Sequence, residues 1–205
     1  MSDTYRTVAR SARAEPPKTK GSRFIGDAFP AATEAEAEAH LAAVRKREHA
    51  ATHWCWAWRI GTGGDAFRYS DDGEPSGSAG APILRQIDAR DLTNTVVVVT
   101  RYYGGTKLGT GGLVRAYGEA ASEALGAARI VEHVVRVPVR LRFAYDDTAP
   151  AMHTVSRFDA EITEQHYSDE TELVVHVRRS EAEALQAAFV DALGGRGTAE
   201  RIGEA

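Results

Sequence analysis

Asp71, Asp72, Glu74, Ser76 and Ser78 fall within the run Asp71-Asp-Gly-Glu-Pro-Ser-Gly-Ser78, the densest collection of carboxylates and hydroxyls in the chain. Carboxylates at this density can transfer protons or hold a hydrated cation beside a phosphate, and the hydroxyls can bind a ligand. A turn with helix capping would explain one or two of these residues, not the whole run. A second stretch, Arg101-Tyr-Tyr-Gly-Gly-Thr-Lys-Leu-Gly-Thr-Gly-Gly-Leu-Val-Arg115, has the opposite character. Gly104, Gly105, Gly109, Gly111 and Gly112 let main-chain N–H groups approach a ligand closely. They also leave Thr110 at a bare helix start, where the dipole favours an anion. No Asp or Glu occurs between positions 92 and 118, while Arg101, Lys107 and Arg115 do, in a chain of formal net charge −4. Together the stretches predict a two-sided site, basic Arg101 and Lys107 against acidic Asp72 and Glu74.

The standard phosphate motifs do not account for the glycines. The spacing from Gly104 to Gly109 suits a nucleotide-hydrolase loop, but Thr110 stands where the lysine belongs, and Val114 replaces the third glycine of a dinucleotide fingerprint. His49, His53 and Cys55 are too differently placed for a transition-metal site, and the Asp71–Glu74 run lacks the ligand periodicity of a calcium loop. No cofactor and no metal are expected. Cys55 and His53 share one strand face roughly 7 Å apart, too far for direct proton transfer, so an inert buried thiol is the better reading.

The elements around these stretches are legible from periodicity. Val96–Val99 reads as a strand covered on both faces, and Leu113, Tyr117, Ala120 and Ala124 recur at helical spacing over 110–128. Thr33 with Glu36 forms a capping box for a helix reaching about Glu48. Arg45, Lys46 and Arg47 then complement the negative end of its dipole. Residues 53–60 and 66–70 make a hairpin, with Trp54, Trp56 and Trp58 on one face. That face either covers a core or stacks bases, and the core is the more economical use. The first 17 residues are expected to be a flexible tail, with an ordered fold from Lys18, a short strand at Phe24 and Ile25, and a domain of 18–136. Beyond Pro138, alternation at Val137, Val139, Leu141, Phe143 and Tyr145 opens a second domain, 137–205. Its order is β-α-β-β-α-β, with a last helix capped by Ser180.

At 205 residues with 43% hydrophobic content the chain can bury two small cores. No window is apolar enough for a membrane helix, the first residues lack a signal-peptide core, and one cysteine suits a reducing compartment, so a cytoplasmic location without membrane contact is expected. Charge is uneven: 19 Lys and Arg against 16 Asp and Glu in residues 1–140, but 6 against 13 in residues 141–205.

Four separated motifs carry a family resemblance. Lys20-Gly-Ser-Arg-Phe-Ile25, Thr52-His-Trp-Cys55, Asp71-Asp-Gly-Glu-Pro-Ser-Gly-Ser-Ala-Gly80 and the run from Arg101 to Tyr117 occur in the order seen in the YigZ/Impact family. The resemblance covers residues 18–128 closely and the remainder more weakly. It marks Arg23, His53, Cys55, Asp71, Glu74 and Pro75 as motif residues. It implies an α+β protein of two domains: an N-terminal domain like the second domain of ribosomal protein S five, and a ferredoxin-like C-terminal domain. It also implies translation-associated regulation, with RNA or the ribosome as the expected partner of the N-terminal domain and a protein partner as an alternative. The residues themselves support two functional readings. One is a binding protein that meets a nucleic-acid backbone or ribosomal component through the basic glycine turn. The other, less favoured, is an enzyme on a small phosphorylated or nucleotide-like substrate, with Asp72, Glu74, Ser76 and Ser78 as its working groups. Oligomeric state is left open.

Overall fold

The structure, a computed structural model, describes residues 3–203. These divide into two compact units, the first ending at His133 and the second starting at Val134. Chain order in the first unit is β1 (Thr4–Val8), β2 (Ala12–Ala14), β3 (Arg23–Pro30), α1 (Glu34–Arg47), β4 (His53–Ile60), β5 (Ala66–Ser70), α2 (Gly80–Asp88), β6 (Thr95–Tyr102), α3 (Thr110–Ala127) and β7 (Ile130–Val134). β1 and β7 form a two-stranded sheet; the other strands form a five-stranded sheet in the order β2-β3-β6-β4-β5, with β6 at its centre.

The valine run explains that centre. Val97 and Val99 pack with Phe24, Ala28, Cys55 and Ala57 beneath α2 and α3, while Val96 and Val98 pack on the opposite face with Trp58, Ile60 and the α1 residues Ala37 and Val44. A strand buried on both sides needs no polar alternation, and β-branched residues suit it. Trp54 and Trp56 lie against the α1 cluster, so the tryptophan face covers a core. Gly26 lets α3 cross β3 closely, since a Cβ there would lie 2.3 Å from the Ala120 carbonyl oxygen. At the start of α1 Thr33 caps as expected, its Oγ1 accepting from the Glu36 amide at 3.2 Å, while the Glu36 carboxylate reaches one residue beyond the cap and accepts from the Ala32 amide at 2.7 Å.

The expected flexible tail is not one. β1 pairs with β7 and β2 pairs with β3, aligning Ala12 with Ala28 and Ala14 with Gly26. Five-residue and three-residue strands are too short for their alternation to stand out, and their stability comes from partners distant in sequence. β3 itself runs eight residues rather than two. Its central Asp27 is buried, where Arg47 reaches it at 2.5 Å.

The same face carries a polar cluster around Glu48, whose carboxylate accepts from Arg13 at 2.7 Å, Arg47 at 3.1 Å and Tyr102 at 2.8 Å. Burial disfavours the charged form of Glu48, but hydrogen bonds from Arg13, Tyr102 and Arg47 outweigh it and hold the carboxyl down at about 2, against an ordinary 4.5. An acid with a lowered folded-state pKa contributes stability that is present above its unfolded value and is lost as pH falls toward the folded one. Glu48→Gln is therefore expected to flatten the acid limb of stability between about pH 4.5 and pH 2. Urea unfolding of both proteins across that window measures the difference.

The second unit comprises β8 (Arg136–Phe143), α4 (Thr148–Val155), β9 (Ala160–Tyr167), β10 (Thr171–Arg178), α5 (Ala182–Ala192) and β11 (Thr198–Arg201). Its sheet is ordered β11-β8-β10-β9 with every pair antiparallel. This is the ferredoxin-like arrangement that the strand and helix order predicts. Val137, Val139, Leu141 and Phe143 enter its core with Leu173, Val175, Leu185 and Phe189. Ser180, expected from sequence to cap α5, instead lies within a 3-10 turn, Arg179–Glu181, and α5 begins after Glu181 without a side-chain cap.

Candidate functional site

The acidic run forms the loop between β5 and α2, beside the N-terminal end of β4. Its carboxylates do three different things. Asp71 accepts from the amides of Gly77, Ala79 and Gly80 at 2.8, 2.9 and 2.8 Å, closing the loop and satisfying donors at the start of α2. Asp72 accepts from the Trp54 amide at 2.7 Å and from Arg45 at 2.9 Å. Glu74 turns inward.

Three side chains from three elements converge on Glu74 Oε1. Arg101 Nη1 of β6 lies 2.5 Å away, Tyr117 Oη of α3 donates from 2.7 Å, and His53 Nε2 of β4 stands at 3.9 Å. The side chains of Glu74 and Arg101 are 5% and 6% exposed, so their charges meet inside the protein rather than in solvent. The Arg101 guanidinium also lies over Phe24 and Tyr103, 5.5 and 5.4 Å from the ring centres. Its other terminal nitrogen faces the buried Ser22 hydroxyl at 3.4 Å, and that hydroxyl accepts from the Gly104 amide at 3.1 Å.

This arrangement corrects the expected role of Arg101 as a cation for a ligand: its charge is neutralised by Glu74. The basic and acidic sides of the predicted site meet in this ion pair, Lys107 taking no part in it. Gly104 likewise serves packing. A Cβ on it would lie 2.0 Å from the Gly21 carbonyl carbon, so the Lys20-Gly-Ser and Tyr-Tyr-Gly-Gly segments require each other.

Cys55 Sγ donates to the Asp71 carbonyl at 3.0 Å. Burial pushes its thiol well above the ordinary range, which suits packing and opposes nucleophilic use. Burial, Cys55 and Glu74 together push the Tyr117 phenol up, so it stays a donor. Ser78 is buried and donates to the Pro75 carbonyl at 2.6 Å; Ser76 is exposed. Asp72, Ser76 and Ser78 do not join Glu74 in one hydrogen-bonded group. Arg23, another motif residue, pairs with Glu15 at 2.8 Å on the surface and lies over Tyr102. Among the described residues, no group of three or more His, Cys, Asp and Glu is placed to hold a metal ion, and no helix is long and apolar enough to cross a membrane.

The other end of the glycine turn is open. Gly105, Gly109 and Gly111 have no atom within 4 Å of an added Cβ, whereas Gly112 rests on Leu108. Gly109 sits at φ 72° and ψ 161°, a backbone state essentially restricted to glycine. It starts the 18-residue α3 with no side-chain cap and no acid in the first turn. Thr110 is exposed at the first helical position. Lys107 and Arg115 are exposed, with no ion-pair partner among the described residues. Arg115 also lines an open groove of about 470 Å³ between α2 and α3, with Arg85, Gln86 and Ser122.

Tyr117, Tyr103 and Ser22 were not singled out as chemical groups by sequence. Tyr117 recurs at helical spacing and reads as core, which it is. The available signal was its hydroxyl, because a buried phenol needs a hydrogen-bond partner.

Residues 20–125, more than half of the chain, match the Impact N-terminal domain. The chain belongs to the Impact family. Residues 141–196 match a second family, described as a domain of unknown function (DUF1949). IMPACT family member YvyE of Bacillus subtilis (strain 168) is 37% identical over 80% of this chain and 76% of its own length. An IMPACT family member of Haemophilus influenzae is 32% identical over 92% of this chain and 93% of its own. A crystal structure of a hypothetical protein superposes with a TM-score of 0.73 at 28% identity, covering 100% of both chains. The fold and the two-part architecture are therefore those of Impact proteins.

Proposed function

We propose that this Impact-family chain acts in translation by binding RNA, free or within the ribosome, at the glycine turn that opens α3. The observation that carries this reading is the open N-terminus of α3. An 18-residue helix presents its first amides without a side-chain cap or an acid, flanked by exposed Lys107 and Arg115. Unsatisfied amides and the positive end of the helix dipole favour a phosphate there. The nearby exposed Gly105, Gly109 and Gly111 leave space for its approach. Arg101 has no part in this contact, and its buried partner Glu74 presents no bare negative charge to a phosphate.

Family membership supports translation as the setting. The enzymatic alternative has weaker support, because Asp71 and Asp72 spend their carboxylates on main-chain amides and Arg45.

Fluorescence anisotropy with a labelled 15-nucleotide single-stranded RNA tests the reading. Affinity is expected to fall steeply between about 50 and 200 mM salt through counterion release. Undetectable binding, or affinity that does not change with salt, overturns it.

A further inference from the structure

The hydrogen bonds of His53 define its free nitrogen. Nδ1 lies 2.8 Å from the Asp72 main-chain oxygen, which can only accept, so Nδ1 carries the hydrogen. In the neutral ring Nε2 then presents a lone pair, with the Glu74 carboxylate 3.9 Å from it. Two acceptors face each other beyond hydrogen-bond distance. Glu74 is held in place by Arg101 and Tyr117 and cannot turn away without breaking both contacts. The imidazole is partly exposed, at 21% of its side-chain surface, whereas the Glu74 side chain is 5% exposed, so Nε2 is the acceptor within reach and the carboxylate lies behind it. Tyr103, 48% exposed, lies over the same Arg101 guanidinium and is hydrogen-bonded through its amide to Thr52, next to His53. An exposed aromatic ring thus adjoins the residue next to His53, at the beginning of the turn assigned above to phosphate.

We propose that His53 and Tyr103 form a subsite for one unstacked RNA base that carries an exocyclic amino group. This rests on the RNA reading above and names what the site takes besides phosphate. The base stacks on Tyr103, as bases do on aromatic platforms of single-strand binders. Its amino group donates a hydrogen to His53 Nε2. Cytosine meets this requirement at its position 4. Uracil places a carbonyl oxygen there, an acceptor facing a lone pair. Cytosine and uracil have the same ring size, so their comparison isolates that one group.

The test compares 15-nucleotide oligo(C) and oligo(U) at one salt concentration, for wild type, His53→Asn and Tyr103→Ala. His53→Asn removes Nε2 while keeping a donor near the Asp72 carbonyl, and circular dichroism checks that each variant is folded. Wild type is expected to bind oligo(C) about tenfold more tightly than oligo(U). His53→Asn should remove that preference and leave the salt dependence unchanged. Tyr103→Ala should weaken both oligomers, by roughly fivefold or more. Salt-dependent binding with equal affinity for the two oligomers overturns the base subsite and leaves the phosphate site standing. A preference that survives in folded His53→Asn also overturns it. Failure to bind either oligomer overturns both readings.

Discussion

Glu74→Ala is expected to destabilise the N-terminal unit by about 3 to 5 kcal/mol, the usual cost of leaving one member of a buried ion pair alone. Arg101 would retain its charge at 5% exposure with the Ser22 hydroxyl and the Phe24 and Tyr103 rings as neighbours and no anion to balance it, and Tyr117 would lose the acceptor of its hydroxyl. Glu74→Gln should fall between the two, because it keeps an acceptor for Tyr117 and fails to balance the guanidinium. Adding Arg101→Met to Glu74→Ala should recover a substantial part of the loss, since an apolar replacement removes the uncompensated charge. Urea denaturation of the four proteins gives the comparison. A loss below about 1 kcal/mol for Glu74→Ala would place the pair in the energetic class of surface salt bridges and refute its role as a buried anchor.

The second large effect concerns a glycine that the sequence assigns to a ligand and the structure assigns to packing. Gly104→Ala puts a methyl group 2.0 Å from the Gly21 carbonyl carbon and 2.3 Å from the Ser22 amide nitrogen. Both are backbone atoms, so relief requires two chain segments to separate. The separation would break the hydrogen bond from the Gly104 amide to the Ser22 hydroxyl and disturb the Arg101 contact on the same hydroxyl. A cost of about 3 kcal/mol or more follows, at or beyond the upper end of ordinary overpacking. Gly105→Ala is the control: its methyl would meet nothing within 4 Å, and only its φ of 86° is unfavourable. That strain is about 1 to 2 kcal/mol. Thermal or urea unfolding of the two neighbouring variants should therefore rank Gly104→Ala well below Gly105→Ala, and the reverse order would contradict the packing assignment.

Much of the architecture was legible because local signals agreed with tertiary ones. The four valines of β6 form a buried strand, Thr33 and Glu36 cap α1, and the alternation from Val137 to Phe143 enters a second core. Short β1 and β2 leave no local signal because their ordering comes from distant strands. Ser180 resembles a helix cap in sequence, but a 3-10 turn intervenes before α5.

The site was legible as a set of residues and not as a set of pairings. Sequence showed opposite charges on two stretches. It could not show that Arg101 and Glu74, 27 residues apart, meet in the core while Lys107 and Arg115 remain outside. Tyr117 illustrates the same limit, since helical spacing accounts for its ring and leaves its hydroxyl unexplained. Conversely, the glycines look alike in sequence and separate only in space: Gly104 is spent on a close crossing, and Gly109 on the backbone turn that exposes the start of α3.

The most direct test is the salt slope of RNA binding for wild type and the Lys107→Ala/Arg115→Ala double variant. Both side chains are exposed and without ion pairs among the described residues, so the double variant should fold normally. If each contacts one phosphate of a single strand, log affinity against log salt should flatten by about 1.4, with weaker binding at low salt. A double variant that binds with the wild-type slope and affinity would contradict the assignment of the opening of α3 as the RNA contact.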